Sequence, residues 1–130
     1  MKNPFTCFLL ACIMFVCNSC SMEKKFVQTE LYFGLSQGNG NIISDAAWNI
    51  FVKEHVSRTF PQGFTILTSE GTWMNETEKK LRGERSHIII SLNKMTPLLL
   101  RGIDSLRIMY KELFQQQFVL RVDKKASADF

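Results

Sequence analysis

The stretch Phe26-Val27-Gln28-Thr29-Glu30-Leu31-Tyr32-Phe33-Gly34-Leu35-Ser36 decides the fold. Val27, Leu31, Phe33 and Leu35 fall on one side of a period of two. Gln28, Glu30, Tyr32 and Gly34 fall on the other, and Thr29 stands in the apolar series. Successive side chains of a strand point to opposite faces, so this pattern predicts a strand with one face on a core and the other toward water. Gln37-Gly38-Asn39-Gly40-Asn41 ends it, because glycine and asparagine enter turn conformations that other residues avoid.

Downstream the period changes. Ser44 and Asp45 suit a helix start: a serine oxygen accepts from the free N–H groups there, and a carboxylate favours the positive end of the helix dipole. Trp48, Phe51, Val52, His55 and Val56 then recur at helical spacing, up to Phe60-Pro61-Gln62-Gly63. Residues 64–74 read as a second strand, residues 75–83 as a polar turn, and residues 84–93 as a third strand around the β-prone Ile88-Ile89-Ile90. Thr96-Pro97 opens a second helix in which Leu99, Ile103, Leu106, Tyr110 and Leu113 share one face. Residues 118–122 alternate again as a fourth strand. The order β-α-β-β-α-β predicts an α+β, ferredoxin-like domain over residues 26–123, an antiparallel sheet with both helices on one face. Residues 124–130 read as a tail.

The N-terminal end has a different character. Lys2 precedes an uncharged apolar run from Phe5 to Cys17, followed by Asn18, Ser19, Cys20 and Ser21. The run is shorter than the about 20 apolar residues of a membrane-crossing helix and matches the layout of a secretory signal peptide over residues 1–19, with an uncleaved membrane anchor as the alternative. All four cysteines, Cys7, Cys12, Cys17 and Cys20, lie in or beside this segment. The domain after Ser21 therefore has no internal disulfide and must hold by its core. Val16-Cys17-Asn18-Ser19-Cys20-Ser21 resembles a bacterial lipobox, which predicts lipidation at Cys20 and a polar tether over residues 20–25; the alternative is ordinary cleavage that leaves Cys20 as a free or dimerising thiol. The chain is expected to be exported and held to a bacterial membrane of the cell envelope. Its net charge of +4 is scattered among acids rather than gathered in a stripe, so a nucleic-acid partner is not expected.

Several segments together resemble the bacterial family of unknown function 3574. They are Glu30-Leu31-Tyr32-Phe33-Gly34-Leu35-Ser36, Trp48 with Phe51, Phe60-Pro61-Gln62-Gly63-Phe64-Thr65, Gly71-Thr72-Trp73, Glu84-Arg85-Ser86, and Tyr110 with Phe114, Gln116, Val119 and Leu120. The family usually has Asp and Leu where this chain has Gln62 and Phe64. The resemblance implies no activity. It does imply export, since such proteins commonly carry secretion or lipid-anchor signals.

The residues point to no standard chemistry. Gly38-Asn39-Gly40 lacks the lysine and hydroxyl of a phosphate loop, there is no Gly-x-Ser-x-Gly elbow, and neither His55 nor His87 has a carboxylate at metal-ligand spacing. No metal or cofactor is expected. The open sheet face is the candidate site. If Ile88, Ile90, Leu92, Leu120 and Val122 point inward, then Glu30, Tyr32, Arg85, His87 and Arg121 share that face and can bind a small polar ligand or move a proton. Trp73 either packs at the sheet edge or lines a pocket. Two readings follow: a non-enzymatic envelope lipoprotein binding a partner or a second copy through this face, and a small ligand-binding protein or enzyme using the Glu30–Tyr32–His87–Arg121 group. A polar outer face, or a homodimer interface closing into a barrel, accounts for the same pattern.

Overall fold

The alternation that opens the domain becomes β1 (Lys25–Gly34) in a computed structural model that describes residues 25–37 and 39–129. The predicted signal peptide, Cys20 and residues 21–24 of the tether lie outside the described residues, while Lys25, expected as the end of the tether, begins β1. After β1, α1 starts at Asp45 and runs to Phe51. It widens into a π-helical turn over Val52–Val56 and closes with Ser57–Thr59. β2 (Thr65–Asn75) and β3 (Lys80–Asn93) form a hairpin, α2 spans Pro97–Phe114, and β4 spans Leu120–Ser127.

The helix starts are built as their sequences require. Ser44 Oγ accepts from the Ala47 N–H at 3.2 Å, and Thr96 Oγ1 accepts from the Leu99 N–H at 3.2 Å. Each bond satisfies a backbone donor that the first helical turn leaves free. At the far end of α2, Gln115 takes the left-handed conformation with φ of 53° and so stops the helix.

The sheet order is β2-β3-β1-β4, and every neighbouring pair is antiparallel. This is the ferredoxin-like, α+β architecture. β1 and β3 are the central strands. Both helices lie on the face that carries Leu31, Phe33 and Ile89. There the Phe33 ring meets Trp48 and Phe51 of α1 and Tyr110 of α2, with centroids 5.5, 5.8 and 4.7 Å away. Leu35, Ile43, Val56, Phe60, Ile103, Leu106 and Val119 complete this core.

Two differences from the sequence reading affect the candidate site. The expected tail is mostly strand: β4 continues to Ser127, with Lys124 opposite Gln28 and Ala126 opposite Phe26. The expected polar turn over residues 75–83 is shorter, because β3 begins at Lys80 and pairs with β2 from Asn75↔Lys80 inward. β1 accompanies β3 only as far as Gly34↔Ser86. The Leu35 N–H still bonds the Arg85 carbonyl, and beyond it residues 71–75 and 80–84 continue past the sheet as a two-stranded arm.

Candidate functional site

Cross-strand register decides which residues share a face, because directly opposed residues project to the same side. Leu31 sits opposite Ile89 on β3 and Arg121 on β4, and Phe33 sits opposite His87. His87, Ile89 and Arg121 are therefore on the helix-covered face, and by alternation so is Arg85. This corrects the sequence reading, which put Arg85, His87, Ile89 and Arg121 on the open face and turned Ile88, Ile90, Leu92, Leu120 and Val122 inward. Glu30 and Tyr32 do lie on the open face, but their neighbours are Ile90, Val122, Ile88 and Leu120. The four residues expected to converge are divided between two faces.

A different polar group is assembled around Glu30. Its carboxylate accepts from Gln28 Nε2 at 2.8 Å, from Tyr32 Oη at 2.9 Å and from Lys124 Nζ at 2.8 Å. Flanking side chains shade it to 7% exposure. The Lys124 hydrogen bond, then those from Tyr32 and Gln28, hold its pKa down to about 2. The same contacts raise the Tyr32 phenol and the Lys124 ammonium above their ordinary values. A carboxylate this acidic is a poor base near neutrality and a good holder of cations and hydrogen-bond donors. Sequence reasoning missed Lys124 because it stands among the charges 123–125. The signal was the alternation of Val122, Lys124 and Ala126, which carries the strand onward.

On the covered face, the His87 imidazole lies against the Trp48 indole, with centroids 4.6 Å apart, and its Nδ1 is 3.3 Å from Thr68 Oγ1. Burial lowers its pKa, with Arg85 adding to the shift and Asp45 opposing it. Arg121 reaches Asp123 at 2.7 Å and Asp104 of α2 at 3.5 Å, while Thr29 donates to Asp123 at 2.7 Å. These contacts clamp β4 to β1 and α2. Arg85 is exposed, and its carbonyl accepts from the Leu35 N–H at 2.9 Å. Trp73 stands half exposed on the arm, neither in the core nor at a packed edge.

Three of the segments that resemble the family meet at one end of the sheet. A Cβ on Gly34 would come within 2.5 Å of Glu84 Oε1 and 3.1 Å of Gln116 Oε1, so these side chains occupy the space the glycine leaves. Gln116 Nε2 donates to Ser36 O at 2.6 Å, and Tyr110 Oη donates to Gly34 O at 2.8 Å. Burial raises the Tyr110 phenol well above its ordinary pKa. A hollow of about 370 Å³ beside α2, lined by Asp104, Arg107, Ile108, Lys111, Phe118 and Val119, contains none of the candidate residues. Among the described residues, no helix is long and apolar enough to cross a membrane, and no group of three or more His, Cys, Asp and Glu side chains stands where it could hold a metal ion.

In sequence, none of the curated proteins matches the chain. In structure, the chain is similar to a phage SAM lyase in complex with S-methyl-5'-thioadenosine. The TM-score is 0.57 at 13% identity, covering 79% of this chain and 90% of the other. The apo state of the phage SAM lyase matches with a TM-score of 0.55 at 14% identity, covering 80% of this chain and 90% of that one. At such identities the likeness is one of fold alone. Residues 28–130 match the family described as "Protein of unknown function (DUF3574)". The match takes in the whole sheet from Gln28 onward, both helices and the Gly34–Glu84–Gln116 corner, and the chain is a member of that family.

Proposed function

We propose that this chain is an exported, lipid-anchored protein whose uncovered sheet face binds a second copy of itself. The observation that carries the binding role is the apolar character of that face. Tyr32, Ile88, Ile90, Leu92, Leu120 and Val122 surround the Glu30–Lys124 pair, and Leu67 and Leu120 are about half exposed. An apolar patch rimmed by polar groups marks an interaction surface. Two sheets can pack face to face about 10 Å apart with side chains interdigitated. A second copy suits the face because its central charges, Glu30 and Lys124, already neutralise one another. Two such faces meet without a like-charge penalty, as the self-complementary interface of a two-fold dimer requires.

The anchor role rests on the N-terminal sequence, where Cys20 follows the apolar run. Labelled fatty acid should enter the full chain and not its Cys20→Ala variant; equal label in both would sink the anchor. Sedimentation equilibrium of the full chain in mild detergent tests the face. A dimer for the wild type and a monomer for Leu120→Glu support it, and a wild-type monomer across the accessible concentration range rejects it.

A second reading is a small-ligand site at Glu30 and Tyr32. What favours it is the ionised, shaded Glu30 carboxylate on a fold shared with a SAM lyase. A cationic ligand would take the place of Lys124. Calorimetric titration with S-adenosylmethionine decides it: saturable heat that disappears in Glu30→Gln supports the reading, and no heat with the wild type excludes it for that ligand.

A further inference from the structure

The arm formed by residues 71–75 and 80–84 has no third strand among the described residues. Five residues of ribbon on each strand extend it about 17 Å beyond the sheet. Isolated two-stranded ribbons are only marginally stable in water. Its apolar side chains are nevertheless out in solvent: Trp73 is 50% exposed, Met74 47% and Leu81 69%. Trp73↔Arg82 and Met74↔Leu81 are adjacent cross-strand pairs, so Trp73 projects to one side of the ribbon and Met74 with Leu81 to the other. Single exposed apolar residues are ordinary on a protein surface, but a thin projecting ribbon with a tryptophan out on one side and a Met–Leu pair out on the other is not.

The β2 edge that runs along the arm is equally bare. Its eleven residues, TILTSEGTWMN, include one charge, Glu70, and no proline. Edge strands are usually guarded by lysine, proline or a cover, because their open N–H and C=O groups recruit other strands. The opposite edge, β4, is guarded by Arg121, Asp123, Lys124 and Lys125.

We propose that the β2–β3 arm lies against a second copy of this chain and completes the dimer formed by the open face. The proposal rests on that dimer and extends it. By alternation Trp73 projects to the same side as Leu67 and Thr65, and those residues lie opposite Ile88 and Ile90 on the open face. Packing through the face therefore sets the arm and its Trp73 alongside the partner. Area points the same way. Four strands about 4.8 Å apart and about eight residues long cover roughly 500 Å² in plan, short of the ~800 Å² per partner of a standard interface. The arm adds roughly 200 Å² on each copy.

The test uses the full chain in mild detergent. Trp48 is buried in the core, so iodide quenches only Trp73 in the folded protein. Quenching should be weak at concentrations where the dimer forms and strong on dilution. Trp73→Ser should weaken the dimer at least ~10-fold by sedimentation, as loss of an aromatic anchor does, with an unchanged circular dichroism spectrum. If Leu120→Glu dissociates the dimer while the arm variant leaves it intact and Trp73 stays quenchable, the arm proposal fails and the face stands. A wild-type monomer overturns both.

Discussion

Lys124 of β4 places its Nζ 2.8 Å from Oε1 of Glu30 on β1, joining two residues 94 positions apart. The pair, with the Tyr32 and Gln28 hydrogen bonds, lowers the Glu30 pKa from 4.5 to about 2. The unfolded chain binds the proton first as pH falls, so the stability Glu30 contributes is fully present above pH 4.5 and disappears as pH drops toward 2. Urea unfolding at fixed protein concentration should show wild-type stability falling through this window. Glu30→Gln should flatten that fall, and equal slopes in both proteins would assign the linkage to other groups.

His87 shifts in the same direction, for a different reason. Its pKa is held below 6.5, so the folded state resists protonation and stability declines as pH drops below 6.5. An NMR titration of the ring should give a midpoint under 6.5. Asp45→Asn should lower it further and Arg85→Ala should raise it. Because the ring lies on Trp48, indole emission should dim with the same midpoint, and His87→Gln should remove that change.

The aromatic core sets the scale for stability. Phe33→Ala deletes the ring around which Trp48, Phe51 and Tyr110 pack, and should cost ~3–5 kcal/mol in denaturant unfolding. Tyr110→Phe keeps the ring but removes the donor to Gly34 O, and should cost about 1 kcal/mol, the net worth of one hydrogen bond. Equal losses would mean that the ring packing at Phe33 is less tight than its contacts imply.

Gly34 and Glu84 should be coupled. Gly34→Ala puts a methyl group where the Glu84 carboxylate lies, and the side chain must swing away. Alone, the change should destabilise the domain. In a Glu84→Ala background the 2.5 Å clash is gone and only the 3.1 Å approach to Gln116 Oε1 remains, so the cost should fall sharply, offset further by up to about 1 kcal/mol that alanine gains over glycine by reducing the freedom of the unfolded chain. A double-mutant cycle with no coupling would show that the carboxylate does not rest on Gly34 in solution.

The sequence made β1 legible because a long alternation has one solution, and the caps at Ser44 and Thr96 marked both helices. Face assignment on β3 and β4 was not legible. Ile88-Ile89-Ile90 and Phe118-Val119-Leu120 are apolar at consecutive positions, so alternation favours neither parity. Only register decides: Leu31 opposite Ile89 and Arg121 sends Ile88 and Leu120 outward. Arg121 reads as a solvent residue until Asp104 and Asp123 are found beside it. On α2 the stripe was one residue off at its end, since Phe114 packs on the core while Leu113 is exposed.

The π-helical turn at Val52–Val56 has a consequence for chain length. A π turn holds one residue more than the α turn it replaces. That extra residue lets Trp48 and Phe51 before it, and Val56 and Phe60 after it, all reach the core. A chain lacking the exposed Lys53 can close an ordinary α-helix there and keep both flanking segments in phase. The middle of a helix, where shortening is normally ruinous, is in this protein a place that can absorb a single deletion.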